Sequence, residues 1–297
     1  MNSNPPIEKN ITLTQQTAID ALSEACDLTR AELKQCFAKG AVWLTAGQQK
    51  PMRLRRVKKA LNHGDCIQLY YNPKVLNQTI IAPQLILDKH QYSVWLKPRG
   101  MLSQGSKWGD HSALYRWVEM HYQARNESQT RQAWLVHRLD KATAGLQLLA
   151  HTKKMAQTLT KLFETRKIKK RYQALVHGQF PESVKTYQTP IDNRCAITHV
   201  KRLQFEPTQN LSWVEVDIET GRKHQIRSHL SQAGFPIIGD RLYGNEDLDH
   251  RLNQARPNLQ LTAYSLEFIC PIEHTLLKLQ LAPSQLDLMA LNNEKIE

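Results

Sequence analysis

Short apolar segments of strand length constrain the fold of this chain more than any other feature. The candidate strands cover residues 92–96, 133–139, 144–150, 172–176, 213–218 and 276–281. Among them lies one long helical pattern, at about residues 153–165, with Thr152 as its N-cap. Strands separated by only one or two long helices are typical of an α+β domain. We therefore expect an α+β fold with a mixed, largely antiparallel sheet.

The first part of the chain has a different organisation. Residues 16–39 show the apolar spacing of two short helices, with Thr29 as N-cap of the second and Gly40 at its end. Strand patterns follow at 41–44 and 66–71, and residues 72–84 read as a linker rich in Pro, Asn and Gln. We predict a small N-terminal α/β domain with its linker over residues 1–78, and a larger domain over residues 79–297.

Positive charge is concentrated in two runs. The chain has 40 Lys and Arg against 27 Asp and Glu, a formal net charge of +13. Residues 50–59 read KPMRLRRVKK and residues 166–171 read RKIKKR. A basic excess attracts polyanions such as RNA, although a solvated basic face is the simpler alternative. The cations that we take as candidates for RNA binding are Arg53, Arg55, Arg56, Lys58, Lys59, Lys169, Lys170 and Arg222.

Several functional classes are disfavoured by what the sequence lacks. The first ten residues contain no apolar signal region, and no stretch reaches the ~20 apolar residues that span a bilayer. The five cysteines form no C-x-x-C pair, so neither a disulfide framework nor a zinc site is indicated. His224 and His229 are not spaced as in the metal-binding H-E-x-x-H motif. We expect a cytoplasmic protein with no membrane association and no metal.

Nucleotide-cofactor and hydrolase motifs are also missing. The sequence contains no G-x-x-x-x-G-K-[ST] loop, no G-x-G-x-x-G loop and no G-x-S-x-G elbow. What remains is a set of polar segments: HRLD at 137–140, KKRYQALVHG at 169–178, ETGRKHQIRSHL at 219–230 and GFPIIGDRLYG at 234–244. Taken singly, Asp140 is explained as a surface partner of Lys141, Tyr172 as a half-buried strand residue and Arg227 as a surface cation.

Taken together, these segments resemble the RluA-type family of RNA pseudouridine synthases over about residues 85–281. HRLD with Thr143 and Gly145–Leu146 is similar to the first signature of that family. The second and third signatures correspond to GRKHQIRSHL at 221–230 and GDRLYG at 239–244, and Lys97–Pro98 with Gly100 fits the end of the family's first strand. Departures at Ala144, Lys223, Thr262 and Cys270 concern the subfamily and substrate more than the activity.

The resemblance implies an enzyme without a cofactor. Its essential carboxylate would be Asp140, which either attacks the sugar or ring or abstracts a sugar proton. Arg227 would pair with Asp140, because a guanidinium keeps its charge in a water-poor pocket. Tyr172 would stack on the uracil or take the proton from ring carbon 5. Arg138 would fill the space that the flipped nucleotide leaves.

A second resemblance covers about residues 15–73. The residues Leu28–Thr29–Arg30, Leu33–Lys34, KGAVWL at 39–44 and GDCI at 64–67 are similar to the alpha-L RNA-binding domain named after ribosomal protein S4. This likeness implies an RNA-binding module joined to the catalytic domain.

The predicted function is therefore the isomerisation of a specific uridine in structured RNA, with ribosomal RNA favoured over transfer RNA, by a monomeric enzyme. The alternative is a non-catalytic RNA-binding or ribosome-assembly factor on the same fold. A glycosidase is a weaker interpretation, because the motifs offer one carboxylate where such enzymes use two. The sequence leaves open which RNA is modified and whether Asp140 acts as nucleophile or base.

Overall fold

The chain divides into two compact units. The computed structural model describes residues 7–12, 16–122, 131–252 and 257–289. The first unit takes its described residues from Met1–Ile81 and Leu102–Arg131, and the second from Ala82–Met101 and Gln132–Glu297. The predicted boundary between residues 78 and 79 lies close to the first of these divisions. Nothing in the sequence indicated that residues 102–131 return to the N-terminal unit.

The first unit combines a four-stranded antiparallel sheet with four helices. Its elements are β1 (Ile7–Thr12), α1 (Ala18–Ala25), α2 (Arg30–Lys39), β2 (Val42–Thr45), β3 (Met52–Arg53), β4 (Cys66–Tyr71), α3 (Pro73–Leu76) and α4 (Leu114–His121). The strand order is β1-β4-β2-β3. The expected helices and the strands near 42 and 66 are confirmed, whereas β1, β3 and α4 were not predicted.

Local chemistry explains the boundaries of α2. The Thr29 hydroxyl accepts from the Glu32 amide, and the Glu32 carboxylate accepts from the Thr29 amide at 2.8 Å, which completes a capping box. Gly40 ends the helix in the left-handed conformation with φ 77°. The predicted linker at 72–84 is partly wrong, because Asn72 caps the short helix α3 and the next strand starts at Gln84.

The second unit is built on a ten-stranded mixed sheet. Its elements are β5 (Gln84–Asp88), β6 (Tyr92–Lys97), β7 (Trp134–Leu135), β8 (Ala144–Ala150), α5 (Lys153–Glu164), β9 (Lys169–His177), β10 (Lys185–Tyr187), β11 (Thr198–Glu206), β12 (Leu211–Ile218), α6 (Gln225–Gln232), α7 (Glu246–Arg251), β13 (Leu261–Ile269) and β14 (Leu276–Gln280). The main path is β10-β11-β12-β9-β13-β8-β6-β5, with β14 on β13 and β7 on β8.

The predicted α+β class with a largely antiparallel sheet is confirmed, since β8 and β13 form the parallel pair and the other described pairs of this sheet are antiparallel. Thr152 caps α5 as expected. The strand expected at 133–139 is much shorter, because the chain leaves β7 after Leu135 and forms a polar loop. Strands β5, β10, β11 and β13 and helices α6 and α7 were not predicted.

Two apolar clusters cover the large sheet. One joins α5 to β6, β8 and β13, and the other joins α6 to β9 and β12. Gly145 is essential where β8 meets β13: its φ is +126°, and an added Cβ would lie 2.2 Å from the Ala263 carbonyl oxygen. This close approach fixes the start of β8, directly after the loop that carries Asp140. Among the described residues, no helix is long and apolar enough to cross a membrane.

Candidate active site

Three residues that are distant in sequence line one cavity of the second unit. Asp140 lies on the loop between β7 and β8, Tyr172 lies on β9 and Arg227 lies in the first turn of α6. The cavity has a volume of about 830 Å³. The structure thus brings together the three side chains that the motifs singled out.

Asp140 and Arg227 form an ion pair. Arg227 Nη1 donates to Asp140 Oδ2 at 3.1 Å, and His224 Nε2 lies 3.8 Å from the same oxygen. The Asp140 side chain is 25% exposed, against 9% for Arg227. Within the described part of the chain, Asp140 Oδ1 has no hydrogen-bond donor and is not buried. One carboxylate oxygen is therefore held by Arg227, and the other forms no hydrogen bond with the described residues.

A second carboxylate, Asp240, for which we predicted no role, holds Arg227 through two hydrogen bonds. Arg227 Nε donates to Asp240 Oδ2 and Arg227 Nη2 to Asp240 Oδ1, both at 2.7 Å. The amides of Leu242 and Tyr243 also donate to Asp240 Oδ1. Burial alone would raise the pKa of Asp240, but these hydrogen bonds outweigh it and lower that pKa below its usual value. The signal available in the sequence was the Gly-Asp pair of the third motif.

The same contacts raise the pKa of Arg227, whereas they lower the pKa of Asp240. Burial lowers the pKa of a guanidinium, but the hydrogen bonds and charge of Asp240, followed by those of Asp140, raise the pKa of Arg227 overall. The two hydrogen bonds from Arg227 to Asp240 fix the plane of the guanidinium, so that Nη1 points toward Asp140.

The turn that carries Asp240 is itself anchored. Asp249 Oδ2 accepts from the Gly239 amide at 3.0 Å, and Asp249 Oδ1 lies 2.8 Å from His177 Nε2. Gly239 has φ +72°, and a Cβ there would lie 2.3 Å from the Asn258 carbonyl oxygen. Because His177 lies on β9 with Tyr172, one strand supports both the cavity wall and the Arg227 partner. Nothing in the sequence pointed to Asp249 or His177.

His224 borders the ion pair in a strained conformation. Its φ of 55° is unusual for a residue other than glycine, and such strain is typical of functional sites. Nδ1 lies 3.3 Å from the Tyr243 hydroxyl oxygen, and Nε2 faces Asp140. Burial lowers the pKa of His224, the charge of Asp140 opposes this effect, and Arg227 and Lys223 add to it. The imidazole is therefore neutral at pH 7.

Tyr172 forms a buried part of the cavity wall, with 7% of the residue exposed. Burial, followed by the negative charge of Asp140, raises the pKa of its hydroxyl. The side chain is therefore a neutral phenol that offers an aromatic surface.

Hydrogen bonds from neighbouring strands fix the Asp140 loop. His137 Nε2 accepts from the Leu148 amide at 2.9 Å, and the His137 ring stacks on Phe163 at 4.4 Å between centroids. Burial, assisted by the charge of Lys170, lowers the pKa of His137 to about 3, so the ring is a neutral acceptor. The Gly100 amide donates to the Lys141 carbonyl oxygen at 2.8 Å, which ties the residue after Asp140 to the end of β6.

A buried lysine supports that connection from the β6 side. Lys97 Nζ donates to the carbonyl oxygens of Met101 at 2.9 Å and Pro98 at 3.2 Å. Burial, followed by the charge of Arg99, lowers the pKa of Lys97 to about 7, while Asp140 opposes the change. The Lys97–Pro98 motif thus shapes the segment next to the Asp140 loop.

The cations predicted to bind RNA fall into different environments. Arg138, Lys169, Lys170 and Arg222 line the cavity. Lys169 is near Glu267, with 64% of its side chain exposed. In the first unit, Arg56 and Lys58 are exposed and Lys59 is half-buried.

Two other predicted RNA-binding cations are engaged within the first unit. Arg53 and Arg55 both pair with Asp110, whose side chain is only 2% exposed. The structure therefore gives these arginines a structural contact that the charge pattern could not indicate.

The histidines considered as metal ligands also have other partners. His229 Nδ1 lies 2.8 Å from Thr198 Oγ1, and His229 Nε2 lies 2.9 Å from the Thr189 carbonyl oxygen. Both ring nitrogens thus hold α6 to neighbouring segments, whereas His224 turns toward Asp140.

Comparison with solved structures identifies the fold. The chain is similar to human RNA pseudouridylate synthase domain containing 1, with a TM-score of 0.55 and 21% identity, over 68% of this chain and 83% of the human chain. The matched part of the chain thus has the fold of pseudouridylate synthases.

Sequence comparison gives the family. The family model described as RNA pseudouridylate synthase matches residues 91–232. An uncharacterised RNA pseudouridine synthase of Chloroflexus aurantiacus is 30% identical over 235 residues, 73% of this chain and 72% of the relative. Ribosomal large subunit pseudouridine synthase D of Neisseria meningitidis serogroup B is 27% identical over 269 residues, 82% of this chain and 69% of the relative. The chain belongs to the RluA-type RNA pseudouridine synthases, isomerases that convert uridine to pseudouridine in RNA.

Proposed function

We propose that Asp140 is the catalytic carboxylate and that Oδ1 is the oxygen that reacts. The reaction breaks the bond between the ribose and ring nitrogen 1, rotates the base and rejoins it through ring carbon 5. A carboxylate acts in it either as nucleophile or as base, and both roles require an ionised group with an unbonded oxygen. The observation that carries the proposal is the asymmetry of Asp140 at the cavity, with Oδ2 held by Arg227 and Oδ1 without a hydrogen bond among the described residues.

Arg227 maintains the negative charge of Asp140 in this proposal. Its guanidinium donates Nε and Nη2 to Asp240 and Nη1 to Asp140. Because Asp240 fixes the guanidinium before substrate arrives, little reorganisation is needed during the reaction. Asp240 is therefore a positioning residue that acts through Arg227.

Tyr172 contributes its ring more than its hydroxyl. Stacking on the uracil offsets part of the free energy of unstacking the base from the RNA, by about 1–3 kcal/mol. The raised pKa of Tyr172 disfavours a phenolate, so the side chain is poorly suited to take the proton from ring carbon 5. Exposed Arg138, two residues before Asp140, fills the space left by the flipped nucleotide.

The proposed substrate is structured RNA, with ribosomal RNA favoured over transfer RNA. The relatives of this chain include ribosomal large subunit pseudouridine synthases C and D, which supports this choice. The first unit would serve as the S4-like RNA-binding module, through exposed cations such as Arg56 and Lys58. The proposed enzyme acts as a monomer in the cytoplasm, where it meets ribosomal RNA.

Mapping of pseudouridines in total RNA tests the proposed substrate. RNA from cells that lack the protein is compared with RNA from cells that express the wild type or Asp140→Asn. We expect one or a few ribosomal positions to lose pseudouridine without the protein and to recover it only with the wild type. Loss confined to transfer RNA would overturn the ribosomal proposal, and recovery with Asp140→Asn would overturn the role of Asp140.

A further inference from the structure

Two consecutive lysines at the start of β9 border the cavity and differ in exposure and partners. Lys170 is half-buried and shares a strand face with Tyr172. Lys169 has 64% of its side chain exposed, and its Nζ lies 3.5 Å from Glu267 Oε1. Side chains two positions apart share one face of a strand and are separated by about 7 Å. Lys170 is therefore one strand step from the ring proposed to stack on the uracil.

The ammonium group of Lys170 lies in a partly desolvated part of the cavity wall. Nζ is 5.5 Å from the centroid of the Phe163 ring, and a Cβ added at Gly221 would lie 3.4 Å from it. Across the residues that the structure describes, no carboxylate oxygen lies within 4.0 Å of Nζ, and no acceptor forms a hydrogen bond with it. A desolvated cation without an acceptor is unfavourable unless a ligand supplies one.

The neighbouring charged groups do not provide a hydrogen-bond acceptor for Lys170 Nζ. Burial lowers the pKa of Lys170, and the more distant charge of Asp217 only partly offsets the effect. Glu219, which also lines the cavity, is held by His199 at 2.9 Å and by Arg166 at 3.5 Å. His137, on the same Phe163 ring, is neutral. Among the described residues none supplies an acceptor to Lys170 Nζ, so this half-buried ammonium group is open to water or to an anionic ligand that enters the cavity.

We propose that Lys170 binds a non-bridging phosphate oxygen of the substrate RNA strand, on the 5′ or 3′ side of the uridine that enters the cavity. Phosphates are the anionic groups of RNA, whereas the uracil carbonyl groups are neutral, so a phosphate best satisfies an ammonium without a partner. The contact anchors the flipped nucleotide by its backbone while Tyr172 holds its base. This inference rests on the proposed entry of the uridine into the cavity beside Asp140.

A phosphate-replacement scan tests the contact. Oligonucleotides of a modified site, identified by the mapping above, carry one neutral methylphosphonate at each position around the target uridine. Binding is measured in the Asp140→Asn background, so that no turnover occurs. We expect one replacement to weaken binding about tenfold or more when Lys170 is present. Lys170→Met should weaken binding of unmodified RNA by a similar factor and show no further loss with that replacement.

Two matched variants separate this contact from general charge and from folding. Lys169→Met removes the adjacent cation and should leave the full methylphosphonate effect in place. Lys170→Arg keeps a donor of positive charge and should recover most of the binding. Lys170→Met should also reduce the slope of log affinity against log salt by about 1. Thermal unfolding of each variant confirms that it is folded.

The outcomes are distinct. Equal methylphosphonate effects with and without Lys170 at every position would overturn the proposal. So would a Lys170→Met variant that loses turnover with no coupling to any phosphate, which would indicate a contact with the base instead. Failure of the proposed function has another signature, namely turnover by Asp140→Asn in the presence of wild-type Lys170. The position of the coupled phosphate decides between the 5′ and 3′ sides.

Discussion

Each unit of the protein contains a carboxylate bound by arginine, and the two differ in access. In the first unit, Asp110 Oδ2 lies 2.6 Å from Arg55 Nη2, 3.3 Å from Arg53 Nε and 3.0 Å from the Tyr115 hydroxyl oxygen. Asp110 Oδ1 is buried and unpaired, and a Cβ at Gly40 would lie 2.4 Å from it. With 2% of its side chain exposed, Asp110 has the burial expected of a structural ion pair.

The second unit also contains a carboxylate paired with arginine, Asp140 with Arg227, but this carboxylate is partly exposed. Asp140 also has Oδ2 held and Oδ1 without a partner, but its side chain is 25% exposed and borders the cavity. Asp240, the other carboxylate bound by Arg227, is buried, with 1% of its side chain exposed. An ion pair between arginine and a carboxylate therefore does not by itself indicate a catalytic residue. In our proposal, an unbonded oxygen in a partly exposed side chain distinguishes the catalytic carboxylate Asp140 from the buried Asp110.

The largest expected effect comes from removing Asp140, the proposed catalytic carboxylate. Asp140→Asn should lower turnover at least about a thousandfold, because the amide supplies neither nucleophile nor base. The unfolding transition should change little, since the residue is partly exposed. Release of tritium from RNA labelled at uridine carbon 5 measures turnover. Asp110→Asn is the matched control in the first unit, and turnover of Asp140→Asn within tenfold of wild type contradicts the assignment.

Loss of the shared arginine should impair both activity and stability. Arg227→Ala leaves Asp240 buried without its main partner, a change that costs about 3–5 kcal/mol of unfolding free energy. Arg227→Lys should be intermediate, because an ammonium cannot reproduce the bidentate contact. Chemical denaturation measures the stability change. A folded Arg227→Ala enzyme with normal turnover would show that the ion pair with Asp140 is dispensable.

The stability effect should depend on pH with a defined sign. The folded-state pKa of Asp240 lies below the unfolded value of about 3.9. Its stabilising contribution is therefore fully present above about pH 4 and is lost as pH falls through the folded-state pKa. In Arg227→Ala, burial dominates and raises that pKa, so destabilisation should be greatest at neutral pH and should shrink toward pH 4. A stability difference independent of pH would contradict this account.

Disruption of the buried ion pairs of Asp110 with Arg53 and Arg55 should lower stability and leave activity unchanged. Asp110→Ala leaves Arg53 and Arg55 without their carboxylate and should cost about 2–3 kcal/mol. This value is below that of a fully buried pair, because the Arg55 side chain is 31% exposed. Thermal unfolding measures the change, and turnover of a bound minimal substrate should persist. An equal loss of turnover and stability would mean that the two clusters are functionally linked.

The smallest effect is expected at the exposed cations. Combined Arg56→Ala and Lys58→Ala substitutions should reduce the slope of log affinity against log salt by about 2, with stability changed by less than about 0.5 kcal/mol. Arg53→Ala should instead lower stability and leave the salt slope nearly unchanged. The reverse pattern would restore the sequence-based assignment of Arg53 as an RNA contact.

Local sequence signals were reliable where one segment carries all the necessary information. Thr29 and Thr152 cap their helices as predicted, and the apolar run at 144–150 forms β8. Strand β13 was missed, although it is central to the sheet. Its pairing with β9, β8 and β14 depends on residues far away in sequence, which no local pattern reports.

The sequence by itself indicated the class of fold, the family and three candidate residues, Asp140, Tyr172 and Arg227, because motif residues and strand periodicity are properties of short segments. Only the tertiary structure decided which charges are free to act. It assigned Arg53 and Arg55 to Asp110, Arg227 to both Asp240 and Asp140, and Lys169 to Glu267. The reason is physical: whether a charge binds substrate or stabilises the fold depends on its burial and its partners, and both arise only when distant segments pack together.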